Sequence, residues 1–519
     1  MPEHLRALVV ILVLASAVFV LAKAPACAVA CTPGDFERRR NLWFGITLAA
    51  FLAHNFWIFI VVAAALLLLS ARREPNALAM YFFVLFAVPA IGAEITGLGL
   101  IDHFFSIDYI RLLALAVLLP AFVSLCKQPD VEPFGRTLPD KLILAFVVLV
   151  LVLQLLHASF TNALRIGVFY SFIDFFLPYY VASRGLKNLQ GFRDALMAFA
   201  IAALVLAAIG AFEFVKLWLL YTPVEHALGV TWGLAIYLPR GDQLRALGST
   251  GQPIALGYVM AVAAGLFLFL RKSVPNPVVW GAGMLLLMAG LVAAMSRGPW
   301  VGAAAMFLVF IATGPSAVLR FAKIGLLGAI VLPALLALPA GRVIVDYLPF
   351  VGTVDAGGIT YRELLFEISI EVIKQNPFFG ASDVMNLSVM QQLKQGQGII
   401  DIVNTYLGVA LETGVVGLSL FAGFFIAVVT GIVSSMRNLP DRNDELYLLG
   451  QALLATLLGI LVIIFTVSSI SLIPVIYWSV AGVGVAYARM HAGERAAEPA
   501  VPAPHGNVVQ PHLRPADFL

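Results

Sequence analysis

The sequence predicts an all-α fold, a polytopic membrane protein with about fourteen transmembrane helices, within a range of about 12–14. Of its 519 residues, 61% are hydrophobic and 12% are charged, whereas soluble proteins carry about 25% charged residues. The mean hydropathy is +0.97, and apolar runs recur from one end of the chain to the other. The bilayer is therefore the main solvent of this chain.

Runs of about 20 mainly apolar residues can cross the hydrocarbon core as helices. We place them at approximately residues 5–22, 48–69, 77–95, 109–126, 141–158, 165–183, 194–215, 253–270, 276–295, 299–314, 324–340, 405–434, 446–469 and 472–488. The first run has a weakly basic start and is followed by small residues at 24–30, which is also typical of a cleaved signal peptide. We favour an uncleaved anchor.

Positive charges set the predicted orientation, because Lys and Arg accumulate in cytoplasmic loops. With both termini in the cytoplasm, every predicted inner loop is basic. These loops contain Arg72 and Arg73; Lys127, Arg136 and Lys141; Arg184, Lys187 and Arg193; Arg271 and Lys272; Arg320 and Lys323; and Arg437 and Arg442. The Arg38–Arg40 run is the exception, since this scheme places it outside. The net charge of +3 gives no sign of a nucleic-acid footprint.

Two connections are much longer than the others, and both fall on the outer side. Residues 216–252 form a shorter outer loop within the first transmembrane region, 1–340, and residues 341–403 form a long one. Loops of that length are generally functional or disordered. Residues 404–489 form the C-terminal transmembrane region, and the Ala-, Pro- and His-rich tail, 490–519, is predicted to be a disordered cytoplasmic end.

The long outer loop contains a predicted amphipathic helix at 361–374. It places glutamates on one face and apolar side chains on another, and it ends before Pro377. The charged face consists of Glu363, Glu367 and Glu371, and the apolar face of Leu364, Leu365, Ile368 and Val372. This pattern predicts a helix lying on the outer surface.

Three stretches place polar groups where a membrane protein usually avoids them. In the first, Arg240 and Arg245 precede a span beside a glycine-rich turn, at Gly248 and Gly251, whose backbone N–H groups could face an anion. In the second, Arg297 interrupts an otherwise continuous apolar run. An arginine so close to hydrocarbon is a functional-site hypothesis by default.

The third stretch begins at Asp401 and continues into a predicted span. Asn404, Gly408 and Glu412 are spaced by four residues and share one helix face, with Glu412 about 12 Å deeper than Asn404. A carboxylate at that depth needs a partner or a wet cavity. Glu412 is therefore either the structural partner of an arginine or a catalytic group.

Ordinary structural interpretations stand beside these. Arg297 could be a snorkelling residue at the lipid headgroups, Arg240 and Arg245 could be loop charges, and Arg362 could pair with a glutamate on its own helix. Three other polar residues within or beside spans are interpreted as satisfied groups between helices: His54, Asp174 and Glu213.

Taken in order, these stretches resemble the O-antigen ligase and polysaccharide polymerase superfamily of integral membrane glycosyltransferases. Members share an Arg-x-x-Gly-…-Pro stretch, a Ser-Arg-Gly turn, and a long outer loop with a helical arginine, an Asn-Pro-x-x-Gly turn and a closing His-Asn-x-x-Leu…Glu-x-Gly-x-x-Gly element. The matching residues are Arg245, Gly248 and Pro253; Ser296, Arg297 and Gly298; Arg362; Asn376, Pro377 and Gly380; and Asn404, Leu407, Glu412, Gly414 and Gly417. Val403 stands where the family has histidine, so the usual candidate general base is missing.

The resemblance implies transfer of a saccharide from a polyprenyl diphosphate carrier to an acceptor hydroxyl, at the periplasmic face of a bacterial inner membrane. Arginine suits the leaving diphosphate because it is always charged and binds phosphate oxygens bidentately. The candidate catalytic residues are Arg297, Arg362, Asn404 and Glu412, and the candidate diphosphate ligands are Arg240, Arg245 and Arg297.

No cofactor is predicted. The sequence has neither Asp-x-Asp nor His-Glu-x-x-His spacing, which favours a metal-independent mechanism. The predicted glycosyl transfer is an inverting one. The expected partners are the lipid-linked donor, a saccharide acceptor and the bilayer, with chain-length or export proteins as further candidates.

The substrate-level prediction is a polymerase of exopolysaccharide, capsule or O-antigen repeat units. The alternative is an O-antigen ligase that transfers glycan to a lipid or another acceptor. A polysaccharide transporter or flippase is a more distant alternative, because it would show related halves and charges near mid-membrane. Here the polar motifs gather at one surface and in one loop.

Overall fold

Helices make up most of the structure. The computed structural model describes residues 2–97, 99, 103–231, 239–240, 243–337, 357–381, 383–394 and 400–497. Its helices are α1 (Glu3–Val29), α2 (Pro33–Leu52), α3 (Phe56–Ala71), α4 (Ala77–Val84), α5 (Tyr109–Cys126), α6 (Leu138–His157), α7 (Phe160–Gly185), α8 (Leu189–Lys216), α9 (Thr222–Leu228), α10 (Pro253–Phe269), α11 (Pro277–Ala293), α12 (Arg297–Thr313), α13 (Ala317–Ala337), α14 (Gly357–Gln375), α15 (Ser388–Gln391), α16 (Thr405–Arg437), α17 (Glu445–Ile464) and α18 (Leu472–Ala497). Part of the predicted outer loop, residues 341–356, 382 and 395–399, and most of the predicted disordered tail lie outside the described residues.

Eight of the described helices are long and apolar enough to cross a membrane, namely α1, α5, α6, α7, α8, α16, α17 and α18. Four shorter apolar helices, α3, α10, α11 and α12, coincide with further predicted spans. A helical, multi-pass membrane architecture is therefore confirmed. The count of fourteen stays a prediction.

The structure differs from the predicted span at 77–95. Helix α4 ends at Val84, and the chain then forms a hairpin of β1 (Gly92–Thr96) and β2 (His103–Asp108). The Asp108 carboxylate caps α5 by accepting a hydrogen bond from the Arg111 backbone N–H at 2.8 Å. A second, shorter hairpin pairs β3 (Pro239–Arg240) with β4 (Gln243–Leu244).

The Arg38–Arg40 run lies on the same surface as the basic loops, which corrects the prediction that placed it outside. Arg39 is buried, and its guanidinium donates to Glu74 and to Asp194, each at 2.6 Å. Both carboxylates belong to predicted inner loops or their borders. Two carboxylates offset the cost of burying one guanidinium, and the exception to the positive-inside pattern disappears.

The two ends of the described chain lie on opposite surfaces, which corrects the prediction of two cytoplasmic termini. Trp218, just after α8, donates from Nε1 to Glu3 Oε1 at 3.3 Å. At the other surface, Arg489 donates to Glu132 and to the Ser183 carbonyl oxygen, at 2.8 and 2.9 Å. The difference arises at α2. The arginines of α2 lower its mean hydropathy, so the sequence did not indicate a separate span there. The 20 residues of α2 nevertheless cross from one surface to the other.

Helix α14 runs beside the first part of α16, whereas the sequence predicted a helix lying on the outer surface. At its start, the Tyr361 hydroxyl donates to the Asp401 carbonyl oxygen at 2.9 Å. Just beyond its end, the Pro377 carbonyl accepts from the Val415 N–H at 2.8 Å. The apolar stripe therefore packs on protein, through Leu365, Ile368 and Val372.

The two faces predicted for α14 are largely present. The three glutamates of the charged face are exposed. Leu364 was predicted on the apolar face but is 41% exposed, because α16 covers a narrower stripe than the sequence pattern suggested.

Candidate functional site

A cavity of about 470 Å³ lies where the outer loop meets the transmembrane helices. Its polar lining comes from three places: the start of α16 (Asp401, Asn404 and Glu412), the β2–α5 junction with α7 (Asp108, Arg111, Tyr170 and Asp174), and the α17–α18 turn (Ser468, Ser469 and Ser471). The first group contains two residues that the sequence predicted for the site.

Asn404 is held at the cavity wall by capping α16. Its side-chain oxygen accepts hydrogen bonds from the backbone N–H groups of Tyr406 and Leu407, at 2.9 and 3.2 Å. The amide nitrogen makes no hydrogen bond within the described part of the chain. It is therefore the group that Asn404 offers to a ligand.

Glu412 lies two turns further along the same face of α16 and lines the cavity. Its side chain is open to the cavity although protein surrounds it on most sides. Among the described residues, no cation forms an ion pair with Glu412. The interpretation of Glu412 as the partner of an arginine therefore gains no support here, and the carboxylate has the access that a general base requires.

Asp401 connects the outer loop to the cavity. The Ser468 hydroxyl donates to its carboxylate, and the Tyr361 hydroxyl accepts from its backbone N–H at 3.1 Å. Burial raises the pKa of the Asp401 carboxyl, and the Ser468 hydrogen bond and the Arg362 guanidinium oppose that rise. Arg362 follows Tyr361 on the exposed side of α14 and is therefore near Asp401, at the rim of the cavity, without being one of its lining residues.

The opposite wall is built around Arg111. Its guanidinium pairs with Asp174, with NH2 to Oδ2 at 3.0 Å, and donates to the Ser106 hydroxyl at 2.7 Å. It also lies 3.8 Å from the centroid of the Tyr170 ring, a cation–π contact. Burial raises the pKa of Asp108, beside Arg111, to about 6.

Helix α7 presents its part of this wall through wide, π-type turns between Ala163 and Phe176. Such turns are rare and often occur at functional sites. They bring Ile166, Tyr170 and Asp174 to the cavity.

Helix α16 is broken at Gly414, two residues beyond Glu412. Gly414 adopts φ 66° and ψ −166°, a region that is essentially restricted to glycine. The turn at residues 376–381, which we call the docking turn, fills the break. Val415 and Val416 donate to the carbonyls of Pro377 and Phe378 at 2.8 and 3.2 Å, and the docking turn donates back from Ala381 to Leu411 at 2.8 Å. These bonds satisfy backbone groups that the break releases.

We expect Gly414→Ala to weaken the attachment of the outer loop to α16. A non-glycine residue in this conformation costs on the order of 1–3 kcal/mol, and the added methyl group would also overlap the Phe378 carbonyl. The purified variant should melt several degrees below wild type and expose the outer loop to protease. Gly408→Ala is the matched control, because its methyl group would meet only Ile402, at 3.8 Å. Equal melting temperatures for the two variants would contradict this account.

Arg297 begins α12 directly behind the α17–α18 turn. Ser296 before it is buried, and Gly298 after it packs so closely on Thr466 that a methyl group would overlap that side chain. Arg297 itself is half-buried. Met295 adopts a left-handed φ of 46°, and such strained residues cluster at functional sites. The Ser-Arg-Gly turn therefore lies one layer behind the cavity wall.

The glycine turn at Gly248 faces a protein carboxylate, which corrects the hypothesis that its N–H groups face a ligand. The backbone N–H groups of Leu247 and Gly248 donate to Glu213 Oε2 at 2.9 and 2.8 Å, and Leu220 donates to Glu213 Oε1 at 2.9 Å. Glu213 is a satisfied polar group, as predicted. The first polar stretch is thus held in place by an internal anion.

Arg245 lies beside the Ser-Arg-Gly turn. Its Nε donates to the Ala294 carbonyl at 3.5 Å, and the next residue, Ala246, donates to the Ala293 carbonyl at 3.0 Å. The backbone of Arg240 forms part of β3, and its side chain lies outside the described residues.

Five of the six predicted site residues thus form two groups, and the side chain of the sixth, Arg240, lies outside the described residues. Asn404 and Glu412 line the cavity, with Arg362 at its rim. Arg297 lies in the neighbouring Ser-Arg-Gly turn, with Arg245 beside it. Arg111 was missed, although a charge in the first turn of a predicted span was a signal. Asp174 is a satisfied polar group, as predicted, through its ion pair with Arg111, and it also lines the cavity.

Residues 282–422 match the family model described as O-antigen ligase. This stretch contains Arg297, Arg362, Asn404 and Glu412. Over these residues the chain is similar to the O-antigen ligase family. The match confirms the resemblance to the O-antigen ligase and polysaccharide polymerase superfamily, whose members are membrane glycosyltransferase-like enzymes. No curated protein matches the chain significantly.

The matched residues supply one wall of the cavity and the Ser-Arg-Gly turn. The opposite wall, with Arg111 and Asp174, lies outside the matched residues 282–422. The cavity therefore lies between the matched stretch and the N-terminal half of the chain.

Proposed function

We propose that this protein polymerises saccharide repeat units on polyprenyl diphosphate carriers, at the outer face of a bacterial inner membrane. The observation that carries the proposal is Glu412, an accessible carboxylate without an ion-pair partner among the described residues, which lines the cavity and lies in the stretch similar to the O-antigen ligase family. The reaction is an inverting, metal-independent glycosyl transfer. Transfer of finished glycan to a lipid acceptor by a ligase is the alternative.

In this mechanism the acceptor hydroxyl enters the cavity and gives its proton to Glu412. The hydroxyl oxygen bonds to the anomeric carbon of the donor sugar, and the bond from that carbon to the phosphate oxygen breaks. The electron pair leaves with the lipid diphosphate. Attack and departure occur on opposite faces of the sugar, so its configuration inverts. Asn404 and Asp401 orient the acceptor through hydrogen bonds.

The position of Glu412 also accounts for Val403. Within the described residues, Ile402 and Asn404 line the cavity and Val403 does not. In our proposal the proton acceptor comes from a deeper residue of α16, so position 403 needs no histidine.

The donor diphosphate belongs at the arginines, because the cavity itself is acidic. Among the described residues, four carboxylates and one arginine line it, and that arginine, Arg111, is already paired with Asp174. A diphosphate in the cavity would be repelled, whereas Arg297 lies in the turn just behind its wall, with Arg245 beside that turn, and Arg362 lies at the cavity rim. An uncharged acceptor saccharide fits the cavity better than an acidic one for the same reason.

Deletion of the gene tests the proposal and separates its two forms. We expect single lipid-linked repeat units to accumulate and long surface polymer to disappear, as measured by gel analysis of surface polysaccharide and of extracted carrier lipids. Long chains left on the carrier would establish the ligase alternative instead. Unchanged polysaccharide and carrier lipids would reject both.

The proposal requires the site to face outward. In intact spheroplasts, a cysteine at the exposed position of Glu371 should react with an impermeant maleimide, and a cysteine at Arg72, on the surface with the basic loops, should not. Gln395, in the same outer loop, lies outside the described residues, which makes Glu371 the better position. Labelling only at position 72 would reverse the orientation and reject a periplasmic site.

A further inference from the structure

The docking turn presents two large aromatic side chains outward. Phe378 is 66% exposed and Phe379 is 54% exposed. The backbone carrying them is fixed to the break in α16 by the three hydrogen bonds described above. Within the turn, Gly380 also donates to the Asn376 carbonyl at 3.1 Å. The hydrogen-bonded backbone of the docking turn therefore holds both rings in exposed positions.

The helices beside the turn give its height relative to the bilayer. Gly414, against which Phe378 packs, is ten residues beyond Asn404, or about 15 Å along α16. Three residues further along α16, Gly417 packs against Leu149 of α6. Leu149 lies eight residues, or about 12 Å, before the end of α6 at His157. Both measures place the docking turn below the outer ends of membrane-spanning helices.

The side chains near that level are apolar and exposed. On α6, Val152, Leu155 and Leu156 are 44%, 47% and 69% exposed. On α16, Val415, whose N–H donates to the docking turn, is 49% exposed. Exposed apolar side chains on spanning helices face lipid, so hydrocarbon extends at least to this level.

The charges of α14 indicate how far water extends toward the membrane beside this helix. Its glutamates, down to Glu371, are exposed, and carboxylates facing hydrocarbon would be costly. Helix α14 therefore stands in water and descends along α16 toward the membrane. Lys374 follows one turn later, where a long side chain can extend its ammonium back toward headgroups.

We propose that the docking turn enters the outer leaflet and that Phe378 and Phe379 contact lipid hydrocarbon. The water–lipid boundary then falls between Glu371 and Phe378. The docking turn thereby anchors the outer loop in the bilayer, at the point where α16 is broken. It holds Tyr361 and Arg362, at the other end of α14, over the cavity rim.

Nitroxide accessibility tests this in the full chain. Spin labels are placed at Phe378→Cys, Phe379→Cys and, as the control, Glu371→Cys, in a background with Cys27, Cys31 and Cys126 replaced by serine. The protein is reconstituted in phosphatidylethanolamine–phosphatidylglycerol vesicles. Collision rates are measured with oxygen, which concentrates in lipid, and with a nickel chelate, which stays in water.

We expect the oxygen-to-nickel ratio to be several times higher at 378 and 379 than at 371. A ratio at both phenylalanine positions equal to that at 371 would place the docking turn in water and overturn the proposal. Low collision rates with both reagents would show burial against protein and would overturn it as well. Two label positions guard against one substitution disturbing the turn.

Discussion

Replacing Glu412 with glutamine is expected to stop polymer formation while the protein still folds and inserts. Glutamine has nearly the same shape but cannot take a proton from the acceptor hydroxyl. Loss of a general base typically costs about 10²–10⁴-fold in rate. The measurement is polymer length and amount on gels from a strain whose only copy carries Glu412→Gln, with protein abundance determined in the same membranes.

Glu371→Gln is the matched control, because Glu371 is an exposed glutamate on α14 and touches neither the cavity nor the Gly414 break. We expect it to make polymer at the wild-type level. If the Glu412→Gln strain makes wild-type polymer from a normal amount of protein, Glu412 is not the base. Low protein abundance in that strain alone would instead indicate a structural role for this carboxylate.

Replacing Arg297 is expected to have the second large effect, with alanine abolishing polymer and lysine severely impairing it. Alanine removes the charge from the donor side, whereas lysine keeps the charge but loses the bidentate geometry that suits a diphosphate. Loss of one contact that stabilises transition-state charge typically costs about 3 kcal/mol, or about a hundredfold in rate. Polymer, lipid-linked intermediates and protein abundance are measured for each variant.

Three further alanine variants make this result interpretable. Arg245→Ala tests the arginine beside the same turn, and Arg362→Ala tests the arginine at the cavity rim. Arg72→Ala is the control, an exposed arginine on the opposite surface, and should leave polymer unchanged. Normal polymer from Arg297→Ala, with protein present, would return Arg297 to the role of a snorkelling residue at the lipid headgroups.

The sequence alone determined the class of fold and the order of the long helices. Twenty apolar residues in succession have essentially one structural solution in a bilayer, because every backbone N–H and C=O must be satisfied within the segment. The same local logic predicted α14 from the spacing of its glutamates and apolar residues. The four-residue spacing placed Asn404 and Glu412 on one face of α16. The depth of Glu412 predicted that its carboxylate needs either a partner or a wet cavity.

Only the tertiary structure decided whether each of these polar residues has a protein partner or lines a cavity, and which residue the partner is. Arg39 finds Asp194 at a separation of 155 residues, and Arg111 finds Asp174 at a separation of 63. The turn at Gly248 binds Glu213, not a ligand. Local periodicity reports that a charge must be satisfied, but its partner is selected by how the helices pack. For that reason the sequence predicted Asn404 and Glu412 on one wall of the cavity, whereas the opposite wall, with Arg111 and Asp174, is brought there by helix packing.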